Sequence, residues 1–532
     1  MGRPRMTLDE LAAGPPLDLA IIGGGINGAG IFAEAARAGL RVALFEAEDF
    51  GFGTTWRSTK LIHGGLRYLE HGDVRLVAET LREREWLLRT RPHLVEPLRF
   101  LFPMLPWTRR PRWQIHLGLV AYDLLAWRRS LPGHQRLRPD ELAARFPGVS
   151  SLQRGGFAFS DARCWAPERL TLELVLEGIE AGGAAFNHTP VTRILTAGGR
   201  VTGVGVRAPD GRELTLGARA VLNAAGPWAD AVRELAGDGG DEPLLDLTRG
   251  THIVLCAEGA LPRHALISTA RSDGRVFFVI PQRDSYLIGT TDVRHEGDPG
   301  SVRPTREEVA YLLEEAAALV PGLEATAERV AYAYAGLRPL RRSGKGPEGA
   351  ISRRHELVDH GRQGGVRGLY SATGGKLSTY RALARELLMR LDTRPAPELP
   401  PPALASLDEA PHPRLRQYGA RLATVLAAGR GELCSGCGLL DGEVRHAVRA
   451  ELAATLSDVL LRRTGAAWSP DRAEGCAEAA ASVMAEELGW NPAERERQLA
   501  AFRADLARHL PTWAELAAES ATEGRDLSTR RG

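Results

Sequence analysis

Lysine has almost vanished from this 532-residue chain: only Lys60, Lys345 and Lys376 stand among its 68 basic residues, the rest being arginine. Cysteine is scarce too. The five thiols, Cys164, Cys256, Cys434, Cys437 and Cys476, form no even disulfide framework, and no secretory signal precedes the first strand, so a reducing, cytoplasmic setting is expected. No apolar run reaches the roughly 18 residues that span a bilayer, and membrane contact is therefore expected to be peripheral. A formal charge of +2 leaves no nucleic-acid footprint, which argues against that class of partner. An apolar fraction of 44% with 25% charged residues is ordinary globular material, long enough for two or three domains.

What is present is concentrated near the start. Residues 19–22 are a short apolar run suited to a buried parallel strand, and Gly23, Gly25 and Gly28 follow it in GxGxxG spacing. Gly23 permits the tight turn, Gly25 lets backbone approach a pyrophosphate, and Gly28 lets the following helix pack on the strand. The helix N-terminus, with Asn27 in its first turn, offers N–H groups to the anion. An alanine-rich helix over 31–38, a glycine cap at Gly39 and a second apolar strand over 41–45 lead to Glu46. That acid stands about 20 residues beyond the glycines, where a carboxylate takes ribose hydroxyls. The loop Asp49-Phe-Gly-Phe-Gly-Thr-Thr-Trp-Arg-Ser-Thr59 is richer in hydroxyls and glycine than a simple NAD site needs, and favours a flavin lying along Thr54, Thr55 and Ser58.

The surviving lysines have distinctive settings. Lys60 lies in Ser58-Thr-Lys-Leu-Ile-His-Gly-Gly65 and Lys376 in Gly374-Gly-Lys-Leu-Ser-Thr-Tyr380, both polar and glycine-rich. A compact ammonium is not interchangeable with a planar guanidinium beside a flavin or small anion, so both are assigned to the site. Lys345, in Ser343-Gly-Lys-Gly-Pro347, reads as a solvated loop residue.

Farther along, Ala220-Val-Leu222 runs into Asn223-Ala-Ala-Gly-Pro-Trp228, whose Gly226 would let backbone approach the cofactor. Phe277-Phe-Val-Ile280 and Tyr286-Leu-Ile-Gly-Thr-Thr-Asp292 suggest antiparallel strands of a substrate-covering sheet, and Gly368-Leu-Tyr-Ser371 returns the chain to Gly374-Gly375. The cofactor domain is thus expected to be discontinuous, over about 15–75, 150–235 and 335–392, with the substrate domain over about 76–149 and 236–334. Residues 395–402 read as a proline-rich linker. Beyond it Val444, Val448, Leu452, Leu456 and Val459 recur at helical spacing, the pattern of a packed helix face. Cys434-Ser-Gly-Cys437 has metal or redox spacing, but only Cys476 accompanies it and no second pair completes four ligands, so no metal is expected. Residues 106–129 combine tryptophan, arginine and an apolar helical stretch, which suits either a bilayer interface or a helix packed within the fold.

Taken together, the Gly23 motif, Lys60-Leu-Ile-His-Gly-Gly-Leu-Arg-Tyr-Leu-Glu70, Asn223-Ala-Ala-Gly-Pro-Trp228, Gly250-Thr-His-Ile-Val254, Ile288-Gly-Thr-Thr-Asp292, Gly336-Leu-Arg-Pro-Leu340 and Gly374-Gly-Lys-Leu-Ser-Thr-Tyr380 resemble the FAD-dependent glycerol-3-phosphate dehydrogenases over roughly residues 15–390. The resemblance implies an α/β fold: a Rossmann-like FAD-binding domain, an antiparallel-sheet substrate domain of the D-amino-acid-oxidase type, and a C-terminal helical cap. It implies oxidation of sn-glycerol 3-phosphate to dihydroxyacetone phosphate, electrons passing to a membrane quinone at the inner face of the cell membrane. It is also compatible with a homodimer.

Arg338 and Arg353 match the family's phosphate grip, where bidentate guanidinium groups suit a dianion. Arg67 matches a third basic position, and Lys376, followed by Leu377 against the cofactor, would stabilise charge on an alkoxide or reduced flavin. His252 and His63 are the candidate bases, His252 favoured and His63 assigned to the flavin. Trp56 replaces a small polar residue usual in the family's loop, and Arg341, Arg342 and Arg354 add charge near the phosphate grip. Two alternatives remain in view, an oxidase passing electrons to oxygen and a catalytically silent FAD-binding sensor. A carboxylate substrate in place of the phosphate would mark a different oxidase of the wider superfamily.

Overall fold

The computed structural model describes residues 6–126, 130–237, 242–259, 261–342, 354–398, 412–434 and 437–518, the side chains of Arg67, Glu70 and His71 excepted. Leu19–Ile22 is buried along its whole length and pairs in parallel with Val42–Phe45 on one side and Val221–Asn223 on the other, Ala20 lying opposite Ala43 and Val221. Strands covered on both faces read as unbroken apolar runs, which is why this core is visible in the sequence. The six-stranded sheet continues outward to Ala184–Phe186 at one edge and to Leu369–Thr373 and Glu356–Asp359 at the other. The helices Ile26–Arg37, Pro167–Glu180 and Tyr380–Arg390 pack together, with a Cβ on Gly30 falling 2.3 Å from the Tyr380 ring.

A second sheet of ten strands is mostly antiparallel. Its centre is formed by Leu245–Cys256, Ser285–Gly289, Val276–Gln282 and Ala265–Thr269, with Val330–Arg341 paired along the length of Leu245–Cys256. The two strands expected around Phe277 and Tyr286 are present, Phe278 facing Gly289. Two segments depart from the expected division of the chain. Gly156–Cys164 and Leu61–Ile62 join this large sheet, because the nine-residue strand Val95–Pro103 takes Gly156–Cys164 as its antiparallel partner from Val95↔Cys164 to Pro103↔Gly156.

The last part of the chain is chiefly helical, with Asp441–Ala450, Ala477–Leu488 and Pro492–His509 as its longer helices. The stripe from Val444 to Val459 is not one helix: Leu452 has φ +57°, and the chain re-enters a separate helical turn at Asp458–Arg463. The break is held by Glu451, whose fully buried carboxylate meets Arg169 at 2.6 Å and His446 at 3.1 Å. Residues 399–402 of the expected linker lie outside the described residues. Among the described residues no helix is long and apolar enough to cross a membrane.

Candidate active site

The glycine motif turns where the sequence places it. Gly23 has φ +104°, and a Cβ on Gly28 would fall 1.9 Å from the Gly23 carbonyl oxygen, so only glycine lets the helix begin so close to the turn. Gly25 caps the helix, whose first residues Ile26 and Asn27 face a cavity of about 560 Å³. Glu46 lines the same cavity and accepts hydrogen bonds from the N–H groups of Gly24 at 2.6 Å and Glu48 at 2.9 Å. Removal from bulk water pushes its carboxyl up to about 7 despite those donors. Thr55 Oγ1 accepts the Ile26 N–H at 3.1 Å, and Thr54 donates to the Leu337 carbonyl at 2.6 Å. Both threonines line the cavity, as do Ser58, Gly226, Gly375 and Leu377.

Two arginines that the sequence did not single out complete this wall. Arg57 and Arg508 both line the cavity, and burial together with the charges of Arg462 and Arg508 holds the Arg57 guanidinium below its usual range. A bound anion would relieve the mutual repulsion of these cations. With a helix N-terminus whose cap residue, Gly25, brings no side chain of its own to the N–H groups, and the buried Asn27 Oδ1 lacking a hydrogen-bond partner among the described residues, the cavity fits the pyrophosphate and ribose of a dinucleotide.

Beyond the nucleotide end, the large sheet carries the candidate groups His252 and Arg338. His252 faces Tyr334 across the paired strands, and their rings stack at 4.9 Å and 13°. Nε2 lies 2.8 Å from Thr59 Oγ1, while the buried Nδ1 has no hydrogen-bond partner among the described residues. Burial first, then the charges of Arg338 and Lys60, push this imidazole down to about 3 and keep it neutral at physiological pH. Arg338 lies on the same face, four residues along from Tyr334. Its Nη2 would meet a Cβ on Gly250 at 2.2 Å, so the missing side chain at Gly250 is what seats the guanidinium beside His252. Asp292 at 3.1 Å and Thr290 at 3.1 Å fix its plane. Lys376 lines the cavity, its ammonium 4.0 Å from the centre of the Tyr68 ring.

Residues 18–387 match the family model described as FAD dependent oxidoreductase, and 378–495 match the C-terminal domain of alpha-glycerophosphate oxidase. A glycerol-3-phosphate dehydrogenase of Synechocystis sp. is 34% identical over 525 residues, covering 91% of this chain and 95% of the relative. A D-erythritol 1-phosphate dehydrogenase of Brucella abortus is 35% identical over 482 residues, 84% of this chain and 94% of the relative. The solved glycerol-3-phosphate dehydrogenase of Bacillus halodurans, complexed with FAD, superposes with a TM-score of 0.74 at 28% identity, covering 94% of this chain and 96% of that one. The chain belongs to the FAD-dependent glycerol-3-phosphate dehydrogenase family. It is an FAD-dependent oxidoreductase, and FAD is the dinucleotide for which the cavity is shaped.

Within this family member Lys60 and His63 do not line the cavity. The Lys60 ammonium is turned away from the cavity, 3.6 Å from Glu168 and 3.7 Å from the centre of the Trp468 ring, because a buried cation follows its carboxylate and π partners. His63 directly follows the strand Leu61–Ile62, which pairs with Ala162 and Arg163, and, like His252 and Arg338, it is not among the residues lining the nucleotide cavity. Trp56 does not cover the cofactor: it is buried against Tyr334, Trp468 and His509, joining the loop to the C-terminal helices. The Arg67 side chain and all of Arg353 lie outside the described residues. Arg341 pairs at 3.7 Å with Glu356, while Arg342 and Arg354 are exposed.

The signal for Arg57 was present in its position within the hydroxyl-rich loop, whereas Arg508 reaches the cavity only through folding. The fold also assembles the three thiols that sequence spacing left incomplete, Cys434, Cys437 and Cys476, whose sulfurs lie within 4.8 Å of one another.

Proposed function

We propose that this chain oxidises sn-glycerol 3-phosphate to dihydroxyacetone phosphate and delivers the electrons to a membrane quinone. The observation that carries the reading is the seating of Arg338 over Gly250 beside a neutral His252. A phosphate held by Arg338 would lie on the strand pair that also carries the imidazole, with Arg353 and Arg67 as further basic groups from the sequence match. His252 is uncharged, and its Nδ1 is free to accept the C2 hydroxyl proton as the C2 hydride leaves. Lys376 supplies positive charge at the cavity wall for the negative charge that develops. Bound FAD supplies the two-electron acceptor.

Membrane contact is supported by the helix Arg112–Leu125. Trp113, Leu117 and Leu124 are 64%, 57% and 60% exposed, while Leu119 and Tyr122 are buried against the protein. Tryptophan and leucine on the free face, with Arg109, Arg110 and Arg112 at its start, suit a headgroup interface. The second reading, oxygen as acceptor, draws on the C-terminal match to an oxidase domain.

The test is anaerobic mixing of the yellow protein with sn-glycerol 3-phosphate while the oxidised flavin band is followed. Bleaching that glycerol and lactate do not produce supports the substrate, and reoxidation by a quinone analogue rather than by oxygen supports the acceptor. Faster bleaching by a tetritol phosphate would move the substrate to a longer polyol phosphate. No bleaching by any polyol phosphate would overturn the reading.

A further inference from the structure

The C-terminal helices carry a cluster that the flavin chemistry does not use. A short antiparallel pair joins Glu432–Cys434 to Leu439–Leu440, and backbone groups of the described residues beside it gather around a sulfur. The Cys437 N–H points at Cys434 Sγ at 3.1 Å, the Gly438 N–H donates to the Cys434 carbonyl at 2.8 Å, and Gly438 takes φ +63°. An N–H aimed at a cysteine sulfur stabilises a thiolate, the form in which sulfur binds metal. The pair is also clamped from behind: Arg414 donates to the Cys437 carbonyl at 3.2 Å and to the Gly438 carbonyl at 2.7 Å.

The third thiol arrives from another element. Cys476 ends the short helix Glu474–Cys476 that leads into Ala477–Leu488, and its fully buried Sγ lies 3.7 Å from Cys437 Sγ. Sulfurs bound about 2.3 Å from a tetrahedral zinc stand about 3.8 Å apart. A disulfide needs about 2.05 Å, and Cys437 and Cys476 are not joined by one. The observed separation is therefore that of two corners of a metal tetrahedron, with Cys434 at a third corner inside the same 4.8 Å group.

We infer that Cys434, Cys437 and Cys476 form a tri-thiolate site for a soft divalent cation, zinc foremost, which pins the paired strands Glu432–Cys434 and Leu439–Leu440 to the start of the Ala477–Leu488 helix. Each sulfur that ligates gives its proton to solvent as the metal bond forms, and the fourth position is left to a water molecule. No redox partner is required. Thiolate ligands favour zinc over magnesium or calcium, which prefer oxygen donors. The cation acts on the cap and not on the reaction, since the cluster lies outside the flavin cavity wall.

The experiment uses the full-length holoprotein, purified without chelator, with metal measured by mass spectrometry of the elements. About one zinc per chain is expected, falling about tenfold in C437S and in C476S, while C256S, a thiol outside the cluster, retains it. Should the serine variants fold poorly, cobalt replaces zinc in the unaltered protein. Thiolate-to-cobalt charge transfer and tetrahedral ligand-field bands beyond the flavin absorption are the expected signature. Absence of bound metal with no cobalt spectrum, zinc retained in the C437S variant, or a mass two hydrogens lighter from a Cys437–Cys476 disulfide would each overturn the site.

Discussion

Asp49 receives both terminal amino groups of Arg463, at 2.6 and 2.7 Å, with neither side chain more than 1% exposed. Arg462 adds a third bond to the same carboxylate at 2.5 Å. The loop that follows Glu46 is thereby tied to the C-terminal helices, so cap and cofactor domain share one buried charge network. Replacing Asp49 by Asn leaves two guanidinium groups under-compensated in the interior. The expected cost is about 3–5 kcal/mol, read as a lower denaturation midpoint together with weaker FAD retention. An unchanged midpoint would show that the network contributes little.

His252→Asn removes the proposed base while keeping a polar group near Thr59. The turnover number is expected to fall by about 10²–10⁴-fold with the oxidised flavin spectrum intact. Loss of FAD with loss of activity would instead make His252 a support for the fold.

Arg338→Ala removes the proposed phosphate grip and leaves Asp292 without its 3.1 Å partner. A charge-assisted contact of about 1.5–3 kcal/mol predicts a 10- to 100-fold fall in kcat/KM, mainly through KM. A change confined to kcat would place Arg338 at the reacting carbon rather than at the phosphate.

The exposed face of Arg112–Leu125 is testable apart from catalysis. Trp113→Ser with Leu117→Ser is expected to abolish sedimentation with anionic phospholipid vesicles, because those apolar side chains would be the ones buried in the headgroup boundary. Bleaching by substrate should persist. Vesicle binding that survives both substitutions would rule out this face.

Acid should destabilise the protein through its buried imidazoles. His252 is pushed down to about 3, so below about pH 6.5 the unfolded chain binds a proton there that the folded chain refuses. The stability contribution is intact above pH 6.5 and drains as pH falls toward 3, amounting to about 2 kcal/mol between pH 7 and pH 5. His509 is pushed down to about 2 by burial and neighbouring arginines, and adds to the same slope. Melting midpoints from pH 7 to pH 5 should fall less steeply for His252→Asn than for the parent chain.

The first 46 residues show how much is legible from sequence. Strand, glycine turn, helix and acid follow one another within a few turns of chain, and each local preference agrees with the final fold, so Gly23, Gly25, Gly28 and Glu46 stand where their spacing puts them. The stripe Val444 to Val459 shows the limit of periodicity. Its residues are apolar, with Val444, Leu456 and Val459 buried and Val448 and Leu452 partly so, but left-handed backbone at Leu452 and the buried charge of Glu451 divide it into two elements.

Composition and contiguous motifs, then, by themselves determined the cofactor fold, the family and most of the cavity wall. Only tertiary structure decided that Lys60 follows Glu168 and Trp468 away from the cavity, that Arg508 reaches it from the last long helix, and that Cys476 meets Cys434 and Cys437. The reason is physical: a motif is set by interactions a few residues apart, whereas the partner of a buried charge or thiol comes from whichever distant segment packing brings alongside.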